Sequence, residues 1–283
     1  MPSITELIKE LREKTGAGFL DCKKSLEANN NDIEKSVESL RKKGLAKASK
    51  KSDRVANEGA VGIYSNKDIT VLIKVNSETD FAAKSETFLN FLDTLGKFIL
   101  ENNSSMNKST FLDLKYENGT IQDYFNSMIA KIGENLILND LVIKENKNSN
   151  YAFYIHNSYT NNIGKIISLI EYSANNIDDE IEILTKNLCM HIAAMKPESL
   201  DIDDLDKSLI IKEENIQKEL ILSSGKPENI VNKILEGKMK KFYSEVTLLN
   251  QSYILDQDKT IKKVIEEYSK TDFKLKSFEI ITL

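Results

Sequence analysis

The chain has 283 residues, room for about two domains of roughly 150 residues each. It is 40% hydrophobic and 29% charged, with no apolar run approaching the ~18 residues that span a membrane, so a membrane protein is not expected. The net charge of −5 divides unevenly: residues 1–56 hold 13 Lys or Arg against 9 Asp or Glu, and residues 57–283 hold 26 against 35. So acidic a body argues against duplex nucleic acid as the main partner, because phosphate binding needs a basic face.

The first stretch, MPSITELIKELREK, is amphipathic from its start, so no signal or transit peptide is expected. Ile4, Leu7, Ile8 and Leu11 form one helical stripe that ends at Gly16 and Gly18. Phe19, Cys22 and Leu26 continue a second helix. Asp32 is placed to cap a third, which carries Ile33, Val37 and Leu40 and is expected to stop at Gly44. Residues 1–45 therefore read as a three-helix docking module near the lower size limit for independent folding. Residues 46–58, AKASKKSDRVANE, read as a basic helix end or linker.

From Gly59 the pattern becomes mixed. AVGIYSNKDITVLIKVN alternates as a β-hairpin turning at Ser65 to Asp68. A helix of about 15 residues is expected after Asp80 and another near Ile121 to Lys131, completing a first α+β subdomain over residues 59–145. The remainder, 146–283, reads as a second. It has strands around an Asn/Ser turn, a further strand IGKIISLIEYS, and a helix DDEIEILTKNLCMHIAAM ended by Pro197. Within it, residues 205–243 read as a protruding antiparallel helical hairpin turning at Gly225 and Pro227, before a closing strand in FKLKSFEIITL. The fold class expected is α+β.

Catalytic constellations are missing from the sequence. Neither a glycine-rich phosphate loop nor a GxSxG or HExxH motif occurs. Two His (His156, His191) and two Cys (Cys22, Cys189) offer no zinc spacing. Cys22 and Cys189 are far apart and belong to no CxxC, so unpaired thiols in a reducing, cytoplasmic compartment are expected. Cys22 precedes Lys23 and Lys24 but falls on the apolar stripe, which favours a small buried side chain over a reactive thiol. His191 lies mid-helix and reads as structural. No cofactor and no metal site is expected.

Two residues stand out at the junction of strand and helix in IKVNSETDFAAKSE: Asp80 and Phe81. Periodicity alone has Phe81 opening a core stripe with Phe88, Leu92, Leu95 and Ile99. Asp80 would then favour the positive end of the helix.

The words LREKTGAGFLDCKKSLEANNNDIEKSVESLRKKG, VNSETDFAAK, KIGEN, HIAAMKPE and SGKPENIVNKILEGKMKKF together resemble bacterial elongation factor Ts, in that family's order and over the chain from first helix to last strand. The resemblance implies a non-enzymatic guanine nucleotide exchange factor for the GTPase elongation factor Tu, bound in its GDP and nucleotide-free forms. It further implies no membrane partner, no direct DNA contact, and tRNA contact only within a larger complex. Residues 1–45 would be similar to a ubiquitin-associated domain that docks on the GTPase. In place of a core role, Thr79, Asp80, Phe81 and Ala82 would form a wedge that displaces the partner's Mg²⁺. Further contacts implied are Arg12, Phe19 and Lys23 on the first module, Ile132 and Gly133 in KIGEN, and His156 in YIHN. The loop after His156, NSYTNNIG, departs from the shorter glycine-rich turn of many members. Some members also continue into a C-terminal helix where this sequence ends at Leu283, so that contact is expected to be missing or replaced. Three rivals compete with exchange: an RNA-binding accessory using Arg41 to Arg54, an enzyme with an unrecognised site beside Asp80, and an adaptor built on residues 1–45.

Overall fold

A computed structural model describes residues 2–102, 106–147, 149–224, 228–268 and 272–283. Helices and strands are mixed throughout, as the α+β expectation requires. The chain divides into two compact units. The first comprises Met1–Glu145, Asn157–Ile166 and Ile281–Leu283, and the second Asn146–His156 and Ile167–Ile280.

The first unit begins with α1 (Ile4–Thr15), α2 (Phe19–Ala28) and α3 (Ile33–Ser49). Ser3 and Glu6 close a capping box at the start of α1, satisfying backbone donors that would otherwise be orphaned. Ile8, Leu11, Cys22 and Leu26 form the small core of these helices. Cys22 is fully buried, and burial raises its thiol pKa, so it serves as the packing residue its position on the stripe indicates. Phe19, on the same stripe, is instead half-exposed. Asp32 caps α3 as expected, accepting from Lys35 N.

Gly44 does not stop α3, contrary to the sequence expectation; the helix continues to Ser49. An interior glycine costs a helix about 1 kcal/mol relative to alanine. Against that, Ala48 is buried in the main core, and Arg41 pairs with Asp123 on a neighbouring helix at 2.6 Å. Tertiary contacts outweigh the local signal.

The hairpin follows as read: β1 (Glu58–Ser65) and β2 (Ile69–Ser77) pair antiparallel from Glu58↔Ser77 to Ser65↔Thr70. The side-chain oxygen of Asn66 accepts from the Asp68 and Ile69 amides and so builds the turn. After β2 come α4 (Asp80–Ala83), α5 (Glu86–Asn102), α6 (Lys108–Leu112), the short pair β3 (Lys115–Tyr116) and β4 (Gly119–Thr120), α7 (Ile121–Ile132) and β5 (Ile137–Glu145). β5 pairs antiparallel with β2, while β1 pairs through Val61 and Gly62 with the beginning of a later strand at Gly164 and Ile163. Phe88, Phe91, Leu92, Leu95 and Ile99 of α5 and Ile121, Phe125, Met128 and Ile129 of α7 pack with Val71, Ile73 and Val75 of β2.

The second unit holds most of β6 (Asn150–Ser158), β7 (Ile163–Ser173) and β10 (Lys274–Thr282), and β6 and β10 each pair with β7. Between β7 and β10 come α8 (Asp179–Met195), α9 (Lys207–Ser223), α10 (Glu228–Val246), β8 (Ser252–Tyr253), β9 (Asp256–Thr260) and α11 (Ile261–Glu267). Ile170, Ile181, Leu184, Leu188, Ile192 and Ile261 form its main core. α9 and α10 pack on each other through Ile221, Val231, Leu235 and Met239. The hairpin turn expected at Gly225 and Pro227 lies outside the described residues.

His191 is structural, as its mid-helix place suggests. It is fully buried, the Ile254 amide donates to its Nδ1 at 3.3 Å, and its Nε2 lies 2.9 Å from Gln251 Oε1. These bonds require the neutral ring with its proton on Nε2. Burial lowers its pKa below the ordinary 6.5, against a smaller opposing effect of the Gln251 bond. The folded protein therefore binds fewer protons than the unfolded chain at and below that pH. The stabilising contribution is complete above the unfolded value and is lost as pH falls toward the folded one. Unfolding free energy is expected to drop by up to about 1.4 kcal/mol per pH unit from this group. His191→Gln should flatten that slope in urea titrations between about pH 7 and 5.

Candidate partner interface

The junction singled out in the sequence begins where β2 ends. Thr79 has extended backbone (φ −127°, ψ 155°), and its hydroxyl oxygen accepts from Ala82 N at 3.2 Å, capping α4. The single helix expected after Asp80 is in fact two. Ser85 interrupts it, donating to the Ala82 carbonyl at 2.7 Å and accepting from Phe88 N at 3.3 Å, so that it starts α5 anew.

This break moves Phe81 off the core stripe. Ala82 and Ala83 face inward, and Phe88, Leu92, Leu95 and Ile99 are fully buried, whereas Phe81 is 84% exposed. Seven residues apart on one helix, Phe81 and Phe88 would share a face; across the break they do not.

Asp80 is in the first turn of α4 and accepts from Lys84 Nζ at 2.7 Å. That hydrogen bond is the main cause of its lowered pKa, and it raises the pKa of Lys84 in return. Lys165, paired with Glu58 at 3.8 Å, adds positive potential beside Asp80. The turn thus presents a bare ring next to a fully ionised carboxylate.

The same turn is bonded to the KIGEN segment. Glu134 accepts twice from Thr79, from its backbone amide at 3.0 Å and its hydroxyl at 2.7 Å. Glu78 in turn accepts from the Asn135 amide at 2.7 Å and lies 3.5 Å from the Arg54 guanidinium. Asn135 is buried, and its side-chain amide donates to the carbonyls of Ser52 at 3.2 Å and Arg54 at 2.8 Å. The backbone leaving α3 is therefore tied to the same place.

Ile132 ends α7 half-buried against the main core. Gly133 follows in the left-handed region (φ 87°), its amide donating to Ile129 O and its carbonyl accepting from Lys51 Nζ. A Cβ there would meet nothing within 4 Å. The glycine is needed for its backbone angle, and its outer side is open.

Arg12, Phe19 and Lys23 sit on α1 and α2 rather than at this hub. Arg12 is exposed, and Lys23 pairs loosely with Glu27 at 3.8 Å. Leu20, which the sequence reading passed over, is 68% exposed beside the half-exposed Phe19. Its signal is its place off the Phe19–Cys22–Leu26 spacing. His156 belongs to the second unit, on β6, exposed and 3.4 Å from the Tyr154 hydroxyl through Nδ1. Glu78 and Glu134 were also passed over, although both lie inside recognisable words, NSETDF and KIGEN.

Among the described residues, no three His, Cys, Asp or Glu side chains are grouped to hold a metal ion. Among those residues, too, no helix is long and apolar enough to cross a membrane.

Comparison with known proteins places these words in a family. Residues 78–283 match the family model described as Elongation factor TS. An elongation factor Ts of Rhodospirillum centenum is 40% identical over 265 residues, covering 94% of this chain and 86% of the relative. One from Clostridium acetobutylicum is 41% identical over 267 residues (93% and 85%), and one from Halothermothrix orenii 40% over 264 (92% and 86%). With the matched region including both the exposed Asp80–Phe81 turn and the KIGEN segment bonded to it, the chain belongs to the elongation factor Ts family.

Proposed function

We propose that this translation elongation factor binds elongation factor Tu in its GDP form, promotes release of the nucleotide by displacing the partner's Mg²⁺, and stabilises the nucleotide-free GTPase for reloading with GTP. The observation that carries the reading is the 84% exposure of Phe81 beside an ionised Asp80 on an anchored turn. Burying a large ring held out in water against a partner is favourable and costs little side-chain entropy. The carboxylate beside it brings negative charge to a site where the metal and phosphates are balanced against each other.

No bond needs to be broken. A factor that binds the empty GTPase more tightly than the GDP form weakens GDP by the same ratio. Taking a nanomolar affinity to micromolar requires about 4 kcal/mol, within reach of a few buried contacts. In this reading α1–α3 form a ubiquitin-associated-like docking module through Arg12, Phe19 and Lys23, with Leu20 extending its apolar patch. Ile132 and Gly133 give close backbone approach, His156 adds a contact from the second unit, and α9–α10 form a projecting hairpin. The factor works in the cytoplasm, meeting tRNA only within a larger complex.

Stopped-flow release of a fluorescent GDP from elongation factor Tu tests this. Native protein is expected to accelerate release strongly at millimolar Mg²⁺. Removing Mg²⁺ with a chelator should raise spontaneous release and shrink the added effect. If well-folded native protein leaves the release rate unchanged, the exchange reading fails.

A further inference from the structure

α4 has four residues, too few to hold a helical turn by its own hydrogen bonds. Its Asp80–Lys84 pair is exposed on both sides, and such pairs contribute little. The direction in which Phe81 points must therefore be set from outside the turn. Ala82 and Ala83 are buried beneath it, and the bonds that reach it from the KIGEN segment form a reciprocal pair. The Glu134 side chain takes the backbone and hydroxyl of Thr79, while the Glu78 side chain takes the backbone of Asn135. Each segment thus grips the residue next to the other's carboxylate.

We propose that Glu134 and Glu78 are the positioning residues of the Thr79–Ala82 turn, a two-way clamp that fixes the presentation of Phe81 before any partner is met. The proposal rests on the exchange reading above and deepens it. Three further observations support it. The bidentate, charge-assisted grip on Thr79 exceeds what capping needs, because Thr79 already accepts from Ala82 N by itself. Asn135 is buried and spends its side-chain amide on the Ser52 and Arg54 carbonyls, so the clamp is braced by the chain leaving α3. Lys51 and Arg54 reach into the same hub at Gly133 and Glu78. A ring held in place loses less conformational freedom on docking, and it reaches its site in the productive orientation.

Two measurements on the full chain test this. In hydrogen exchange of the free protein, Glu134→Ala is expected to speed exchange of the Thr79–Lys84 amides by about tenfold, leaving the core of α5 unchanged. Unchanged protection at 79–84 would overturn the clamp, whatever the partner assay gives. In stopped-flow GDP release, Glu134→Ala should lower the maximal acceleration by about tenfold while the half-saturating concentration moves less than about threefold, since the docking surfaces are intact. Glu134→Gln, which keeps one acceptor for Thr79, should recover most of the loss; a merely destabilising change would not separate the two parameters. Thr79→Val, which removes both the hydroxyl end of the grip and the α4 cap, is expected to lower the maximal acceleration at least as much as Glu134→Ala and serves if the latter does not fold. Maximal acceleration in Glu134→Ala within about twofold of native, with Phe81→Ala inactive, would reject the clamp and leave exchange standing. Native protein without any acceleration would reject exchange, and the hydrogen-exchange result alone would then decide the clamp.

Discussion

Replacing Phe81 by Ala is expected to lower the acceleration of GDP release by about two orders of magnitude, the scale of an aromatic anchor lost from an interface. Its thermal unfolding should stay within about 1 °C of native, because a side chain that is 84% exposed gives up almost no burial. The comparison is Phe88→Ala, seven residues on and fully buried among Leu92, Leu95 and the strand side chains. That change should cost about 3–5 kcal/mol through lost transfer energy and the cavity left behind. The two phenylalanines thus separate function from stability within one segment. If Phe81→Ala unfolds like Phe88→Ala, the ring belongs to the core in solution and the wedge is wrong. If Phe81→Ala is stable and fully active, exchange is carried elsewhere, and Ile132, Gly133 and the α1–α3 patch come next.

Gly96→Ala is expected to destabilise the first unit by about 2 kcal/mol, although alanine is the better helix former by about 1 kcal/mol. A Cβ at position 96 would lie 2.2 Å from both Cδ2 and Cε2 of Tyr64, far inside contact distance. Tyr64 is a buried residue of β1, so its ring cannot swing into solvent to make room. α5 and β1 therefore approach as closely as they do because position 96 has no side chain. A double-mutant cycle in urea provides the check: in a Tyr64→Val background, Gly96→Ala should be neutral or stabilising. Tyr64→Phe should not relieve the clash, since the ring remains. By itself it should cost little, because the Tyr64 hydroxyl is buried without a hydrogen-bond partner among the described residues. A Gly96→Ala protein as stable as native would show that α5 can shift from the sheet.

How legible the molecule is from its sequence depends on the range of the forces involved. The β1–β2 hairpin could be read because alternation and an Asn-bearing turn are local features, and the observed register follows them. The α3 cap at Asp32 and the burial of Cys22 were legible for the same reason. Gly44 misled because a helix-stopping preference worth about 1 kcal/mol is smaller than the packing of a whole helix face. The family itself was legible from words in order, and comparison with known proteins bears it out over residues 78–283.

The site shows the division most clearly. That Thr79, Asp80 and Phe81 sit between a strand and a helix follows from residue order alone. Whether Phe81 turns inward or outward does not, because periodicity assumes one continuous helix and Ser85 breaks it. Nor does order alone disclose that Glu134 holds Thr79, since those residues are separated by 55 positions and meet only when α7 has packed with α5 and β2 in the main core. Residue order was enough for the β1–β2 hairpin, the α3 cap and the family, because a turn, a cap and a run of words are each set by near neighbours in the chain. Phe81 is left in water, and Glu134 and Glu78 reach its turn, only after distant segments have packed, because exposure and long-range hydrogen bonds do not exist before then.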